Sequence, residues 1–274
     1  MPLMSKDADL ETVEAIYDAL DAGRPDEAWA LARAALTTVG DDDAVLHVLA
    51  GRALVELDRP DEAVARLERA VELDPEDPDF RADLAEALFL ACRFDDAAQH
   101  ARHAVGLEAE LPDAHYLLAL VLERRGRFDQ AERHFERAAA GDAERYPLPC
   151  RVGPEEFGRQ LEIARAALPE EFRAHLDRIG VIVEDLPPDE LLNEERPPLT
   201  PELLGLFCGV TIEGRSHFSV GGELPPRIYL FKRNLERNAR RPDELAEQIR
   251  VTLYHELGHY LGMEEDDLDD AGYA

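Results

Sequence analysis

Arg24-Pro25-Asp26-Glu27-Ala28 recurs further along the chain as Arg59-Pro60-Asp61-Glu62-Ala63. Phe94-Asp95-Asp96-Ala97 and Phe128-Asp129-Gln130-Ala131 continue the series, so Ala28, Ala63, Ala97 and Ala131 stand 35, 34 and 34 residues apart. A second alanine follows seven residues after each: Ala35, Ala70, Ala104 and Ala138. Large apolar residues such as Leu67 and Phe135 fall between them, and Pro75 closes one unit. Small residues at this spacing let two antiparallel helices approach closely. Each helix pair then buries its apolar stripe only by stacking on the next pair.

A period of 34 with this pattern resembles the tetratricopeptide repeat. The resemblance covers about residues 9–145 in four units, of which the first carries one extra residue and little of the usual first-helix pattern. It implies a helical solenoid with a concave groove that holds a peptide or partner protein. Aligned first-helix positions carry His47, Arg81 and His115, so the groove is not expected to carry a Lys/Asn carboxylate clamp.

The repeat stops at a connector, Gly141 to Gly153, which holds Pro147 and Pro149. Residues 154–178 read as helical, with "LPEEF" opening a second short helix. Val181-Ile182-Val183 reads as a strand, residues 184–201 as an acidic, proline-rich surface loop, and Leu203 to Thr211 as an apolar turn into a strand. Arg227 to Phe231 reads as a buried strand. Pro242 opens a long helix whose core stripe is Leu245, Ile249, Thr252, Leu253 and Leu257, with Gly262 placed to end it. The expectation is a tetratricopeptide-type α-helical solenoid over residues 1–145, followed by a small α+β domain over 146–274.

The last turns of that helix carry His255-Glu256-Leu257-Gly258-His259. Two histidines four apart share one helical face, and their imidazoles can share one zinc ion. Glu256 projects beside them as a general base for hydrolysis. A zinc site needs a third protein ligand and an open position. Only Tyr260 to Ala274 lie downstream, too few for another long helix, so the third ligand is expected from the short acidic tail or from upstream. Glu265 is the first choice and Asp267 the second, with Gly262 letting the chain double back.

His255, Glu256, His259, Gly262, Glu265 and Asp267 match the HExxHxxGxxExD pattern of the minimal zincin-like metallopeptidases, which are small bacterial domains. The likeness extends back through "VIVEDLP", "LLGLFCGV", "PRIYLFKRNLE" and "DELAEQIRVTLYHELGH", covering about residues 154–272. It implies a zincin-like fold with one Zn2+ on His255, His259 and Glu265, Glu256 as the base, and peptide-bond hydrolysis in a protein or peptide substrate. Unlike the broader metzincins, the third ligand would be a carboxylate. No Met-turn follows it, since Met263 precedes Glu265. The alternative is a non-catalytic scaffold or regulatory binding protein whose zincin-like domain holds metal structurally.

Charge narrows the partners. Sixty acidic residues against 30 basic ones give a net charge of -30, which argues against nucleic acid and anionic membrane surfaces. Three widely spaced cysteines suggest no disulfide framework. The first ten residues have no apolar signal core, and no apolar run approaches a membrane span, so a cytoplasmic protein is expected. Arg227, Lys232, Arg233, Arg237, Arg240 and Arg241 are expected to pair with the acidic loop 184–195 rather than with a substrate carboxylate. Cys208 and Tyr229 are expected to fill the core. The acidic run Glu264 to Asp270 is expected to be a solvated end that supplies at most one ligand.

Overall fold

The 34-residue register becomes four helix pairs in a computed structural model of the chain. The structure describes residues 10–194, 199–210, 216–217 and 225–263. The chain divides into two compact units, with the break between Tyr146 and Pro147. In the first unit the leading helices of the pairs are α1 (Leu10–Asp21), α3 (Ala44–Glu56), α5 (Pro78–Leu90) and α7 (Pro112–Arg124). Their partners are α2 (Pro25–Val39), α4 (Pro60–Leu73), α6 (Phe94–Leu107) and α8 (Phe128–Gly141). Ala28, Ala63, Ala97 and Ala131 are fully buried. Successive leading helices pack on one another, whereas α4 and α6 pack mainly on the leading helices around them. The leading helices therefore form the inner layer, and clefts separate the second helices on the outer face.

Within each pair the turn needs one residue in the left-handed region: Gly23, Asp58, Cys92 and Gly126, at φ 64, 53, 59 and 67°. These positions follow the 35, 34, 34 spacing. The next residue, Arg24, Arg59, Arg93 or Arg127, enters the second helix, and its N–H donates to the carbonyl five residues back. In three units this arginine also pairs with the acid three residues on: Arg24 with Glu27, Arg59 with Glu62 at 2.8 Å, and Arg93 with Asp96 at 2.9 Å.

His47, Arg81 and His115 do not serve the groove. They are 1, 8 and 0 % exposed. Each turns back to the carbonyl six residues earlier: His47 Nε2 lies 3.3 Å from Asp41 O, Arg81 Nε donates to Pro75 O at 2.8 Å, and His115 Nε2 lies 3.0 Å from Ala109 O. Three different side chains thus fasten the loop that joins one repeat to the next. At the end of the array Tyr146 donates to Asp113 at 2.8 Å and stacks on Tyr116.

The interior histidines make this unit acid-sensitive. His115 Nδ1 and His134 Nδ1 lie 2.9 Å apart. Burial first, then His115 and Arg137, push the His134 imidazole down to about 4; burial also lowers His47 and His100. A histidine whose folded pKa lies below its unfolded value of about 6.5 binds protons better in the unfolded chain. Its contribution is therefore complete above pH 6.5 and drains away as the pH falls toward 4. After allowance for solvent screening, the array is expected to lose about 1–2 kcal/mol between pH 7.5 and pH 5. Urea titrations at the two pH values check this, and His134→Gln should shrink the difference.

The second unit is a four-stranded sheet flanked by helices among its described residues. Its elements are α9 (Pro154–Ala167), α10 (Glu170–Leu176), β1 (Gly180–Glu184), α11 (Asp189–Glu194), β2 (Gly205–Val210), β3 (Ser216–His217), β4 (Arg227–Phe231), α12 (Lys232–Arg237) and α13 (Pro242–Leu261). The strand order is β1-β4-β2-β3, with β1 parallel to β4 and both β2 pairings antiparallel. Helix α13 crosses β2 and β4 and packs on α9. The stretch expected as loop 184–201 contains α11, because Leu192 is fully buried and anchors a helical turn there. Among the described residues, no helix is long and apolar enough to cross a membrane, and Cys92, Cys150 and Cys208 are free thiols.

Candidate metal centre

Helix α13 begins as its sequence dictates, with Pro242 in the first turn and Asp243 and Glu244 at the positive end of the helix dipole. Leu245, Ile249, Leu253 and Leu257 are fully buried against the sheet and fix the rotation of the helix. His255 and His259 fall beside that stripe and are half-buried. Their Nε2 atoms converge to 3.0 Å, with the rings edge to face at 85° and centroids 4.7 Å apart. Two nitrogens on one tetrahedral zinc, each about 2.0–2.1 Å from it, stand about 3.3 Å apart. The pair therefore fits two positions of such an ion.

Glu256, between the two histidines in sequence, is 6 % exposed. Its Oε2 accepts the backbone N–H of Phe207, in β2, at 2.6 Å. The strand can come this close because position 205 is glycine. A Cβ there would meet Thr252 Cγ2 at 2.5 Å, Tyr229 O at 3.1 Å and Glu256 Cγ at 3.2 Å. The approach to β2 is held by Asn234 of α12, which is fully buried and donates from Nδ2 to Pro201 O at 3.0 Å and Leu203 O at 2.6 Å. Gly205, Phe207 and Asn234 thus support Glu256. None of the three carries a local signal in the sequence, since pairing between distant strands leaves none.

Past His259 the helix ends on Gly262 at φ 86°, whose N–H donates to His259 O at 3.1 Å, while Met263 N–H donates to Gly258 O at 3.0 Å. This left-handed cap turns the chain back immediately after the second histidine. Glu265 and Asp267 lie outside the described residues. Among the described residues, no three metal-ligating side chains cluster.

The neighbouring candidates take simpler roles. Burial, then Glu256, push the Cys208 thiol up to about 11, so it stays protonated rather than becoming a thiolate ligand. Tyr254 stacks on Phe172 at 4.2 Å, and Tyr260 meets Phe207 edge-on at 5.8 Å. His175, on α10, comes within 5.9 Å of Tyr260 between ring centroids; as a lone histidine eighty residues upstream, it carried no pattern. Among the described residues, several of the basic residues around β4 have partners close by. Lys232 and Arg151 both bind Glu236, Arg241 pairs with Asp243 and Glu244, and Arg233 offers its backbone N–H to Asp185 O at 2.9 Å.

A histidine pair thus converges on one face of α13, with Glu256 next to the first in sequence and a glycine turn after the second. Residues 176–273 match the zincin-like metallopeptidase family. This zincin-like region takes in β1 to α13, while residues 54–101 and 112–140 match tetratricopeptide repeats. No curated protein matches the chain. Similar solved structures include MamA, at 19 % identity over 58 % of this chain and 86 % of that one, TM-score 0.41. YrrB, described as a TPR protein with an unusual peptide-binding site, shows 22 % identity over 48 % of this chain and 67 % of its own, TM-score 0.42.

Proposed function

We propose that the protein is a zinc-dependent metallopeptidase that hydrolyses peptide bonds in a protein or peptide substrate, with the repeats binding the substrate or a partner. The observation that carries this reading is the convergence of the His255 and His259 Nε2 atoms at 3.0 Å, beside Glu256. His255 and His259 supply two ligands of a single zinc ion, and Glu265 supplies the third, with Asp267 the next choice. Bound zinc would contribute a Lewis acid and an acidified water. Glu256 is the base. Its Oε2 accepts Phe207 N–H, which orients the carboxylate that takes a proton and returns it to the leaving amine. On the inner face of the array, Tyr17, Glu56 and Glu86 line a 340 Å³ cavity together with Arg52, which is bound to Asp83 at 2.9 Å. This cavity is the seat for a partner segment.

Zinc content and cleavage of a peptide library, compared between wild type, Glu256→Gln and Glu256→Ala, test the reading. Both variants are expected to retain one zinc and to lose cleavage by about 10²-fold or more. The glutamine keeps an acceptor for Phe207 N–H, so its loss cannot be ascribed to unfolding. Zinc binding without any cleavage that depends on Glu256 would favour the alternative, a scaffold that holds its metal structurally. The engagement of Glu256 by β2 is the observation that supports that second reading.

A further inference from the structure

We propose that the outer cleft between α6 and α8 takes an aromatic side chain from an acidic segment of a partner protein. The clefts differ at matched repeat positions. In the cleft between α2 and α4, Trp29 follows the buried Ala28, and the guanidinium groups of Arg33, Arg59 and Arg66 lie 5.8, 5.7 and 5.7 Å from its ring centre. The scaffold fills that cleft with an aromatic ring of its own and surrounds the ring with cations.

Moving one repeat along, Trp29 becomes Val64 and Arg33 becomes Glu68. The arginine there, Arg93, is neutralised by Glu68 at 3.6 Å and Asp96 at 2.9 Å. One repeat further, the ring position is Ala98 and its surroundings are Arg102, Arg127 and His134. Two of the three cations around Trp29 are thus retained while the ring is gone. In its place is a cavity of 290 Å³, floored by Ala98, Leu118 and Val121 and rimmed by Arg102, Arg125 and Arg127. That volume is near the lower limit of about 300 Å³ for ligand pockets, which suits one ring better than an extended ligand.

Charge selects the flanks of the ring. Gln130 stands where the other repeats have Glu27, Glu62 and Asp96, so Arg127 lacks the acid that pairs with its counterparts. Neither Arg102 nor Arg127 has an ion pair among the described residues, while Arg125 is bound to Asp95. On a chain with a net charge of -30, this rim attracts carboxylates, and arginine offers both a flat face for a ring and a fork for a carboxylate. The cleft lies on the face opposite the inner groove, so both surfaces can be engaged at once.

The test uses the full chain and a fluorescein-labelled peptide with one tryptophan between aspartates and glutamates, followed by anisotropy. Saturable binding is expected. It should weaken by about tenfold or more when the peptide's tryptophan is replaced by alanine, or when Arg102→Glu or Arg127→Glu is introduced. Ala98→Trp, which rebuilds the arrangement around Trp29, should abolish binding without lowering the thermal midpoint. The two charge reversals sit on the exposed rim and test the site even if the crowded tryptophan variant unfolds. The proposal is overturned if no saturation is reached at millimolar peptide. It is equally overturned if binding ignores the rim reversals, or is lost instead through Arg52→Glu in the inner groove.

Discussion

Glu236→Ala is expected to destabilise the second unit by about 3–5 kcal/mol, the range for removing one partner from a buried charge cluster. Glu236 is fully buried. Its Oε1 accepts Lys232 Nζ at 2.5 Å and Val152 N–H at 3.1 Å, and its Oε2 accepts Arg151 Nη1 at 3.0 Å. Its backbone carbonyl, with that of Ala239, also accepts Cys150 N–H, at 2.8 and 3.0 Å. This one residue pins the segment from Cys150 to Val152 onto α12. Alanine would leave two cations in a poorly hydrated place and an amide without its acceptor. Glu236→Gln keeps the acceptor for Val152 and should cost less. Chemical denaturation of the full chain, followed by a probe in the second unit, measures both; a loss below about 1 kcal/mol for alanine would contradict the argument.

Gly205→Ala has the next largest expected effect, about 1–3 kcal/mol, because it overpacks a closed contact. The added methyl would lie 2.5 Å from Thr252 Cγ2 and 3.1 Å from the carbonyl oxygen of Tyr229. The side chain can shift, but the backbone of β4 resists. Relief must come from moving β2 away from α13, which lengthens the bond from Phe207 N–H to Glu256. Thr252→Ser removes the clashing methyl and retains the hydroxyl bond to Gln248 O. The double variant should therefore recover part of the loss, and a thermodynamic cycle on the four proteins reads the coupling. Additive costs would mean that the two positions do not meet.

Both effects concern residues that no local pattern marks. The repeats were legible because each turn, buried alanine and helix start recurs at a fixed spacing, so every position is written several times. The ends of α13 were legible for the same local reason: Pro242 and Gly262 do their work within one turn. The histidine pair was legible because helical periodicity alone brings it together. Glu236 is one of 60 acids, and only the fold sets it apart. His47, Arg81 and His115 show the converse error. Their spacing was correct but their direction was not, since periodicity gives the face of a helix and not where a long side chain turns. Within the loop expected at 184–201, the acids and prolines masked Leu192, whose burial organises α11.

The bond between Phe207 N–H and Glu256 also bears on how such a motif persists. An acid used only for chemistry drifts once its chemistry is no longer under selection. Glu256 is the acceptor for a buried strand amide, and leaving that amide unsatisfied costs about 1–3 kcal/mol. Lineages that have abandoned catalysis would still be selected to keep a hydrogen-bond acceptor there, with glutamine as the tolerated exchange. The survival of an acceptor at that position in a descendant would therefore record the need to fold, and only a substitution that keeps the acceptor while removing the base separates the two histories.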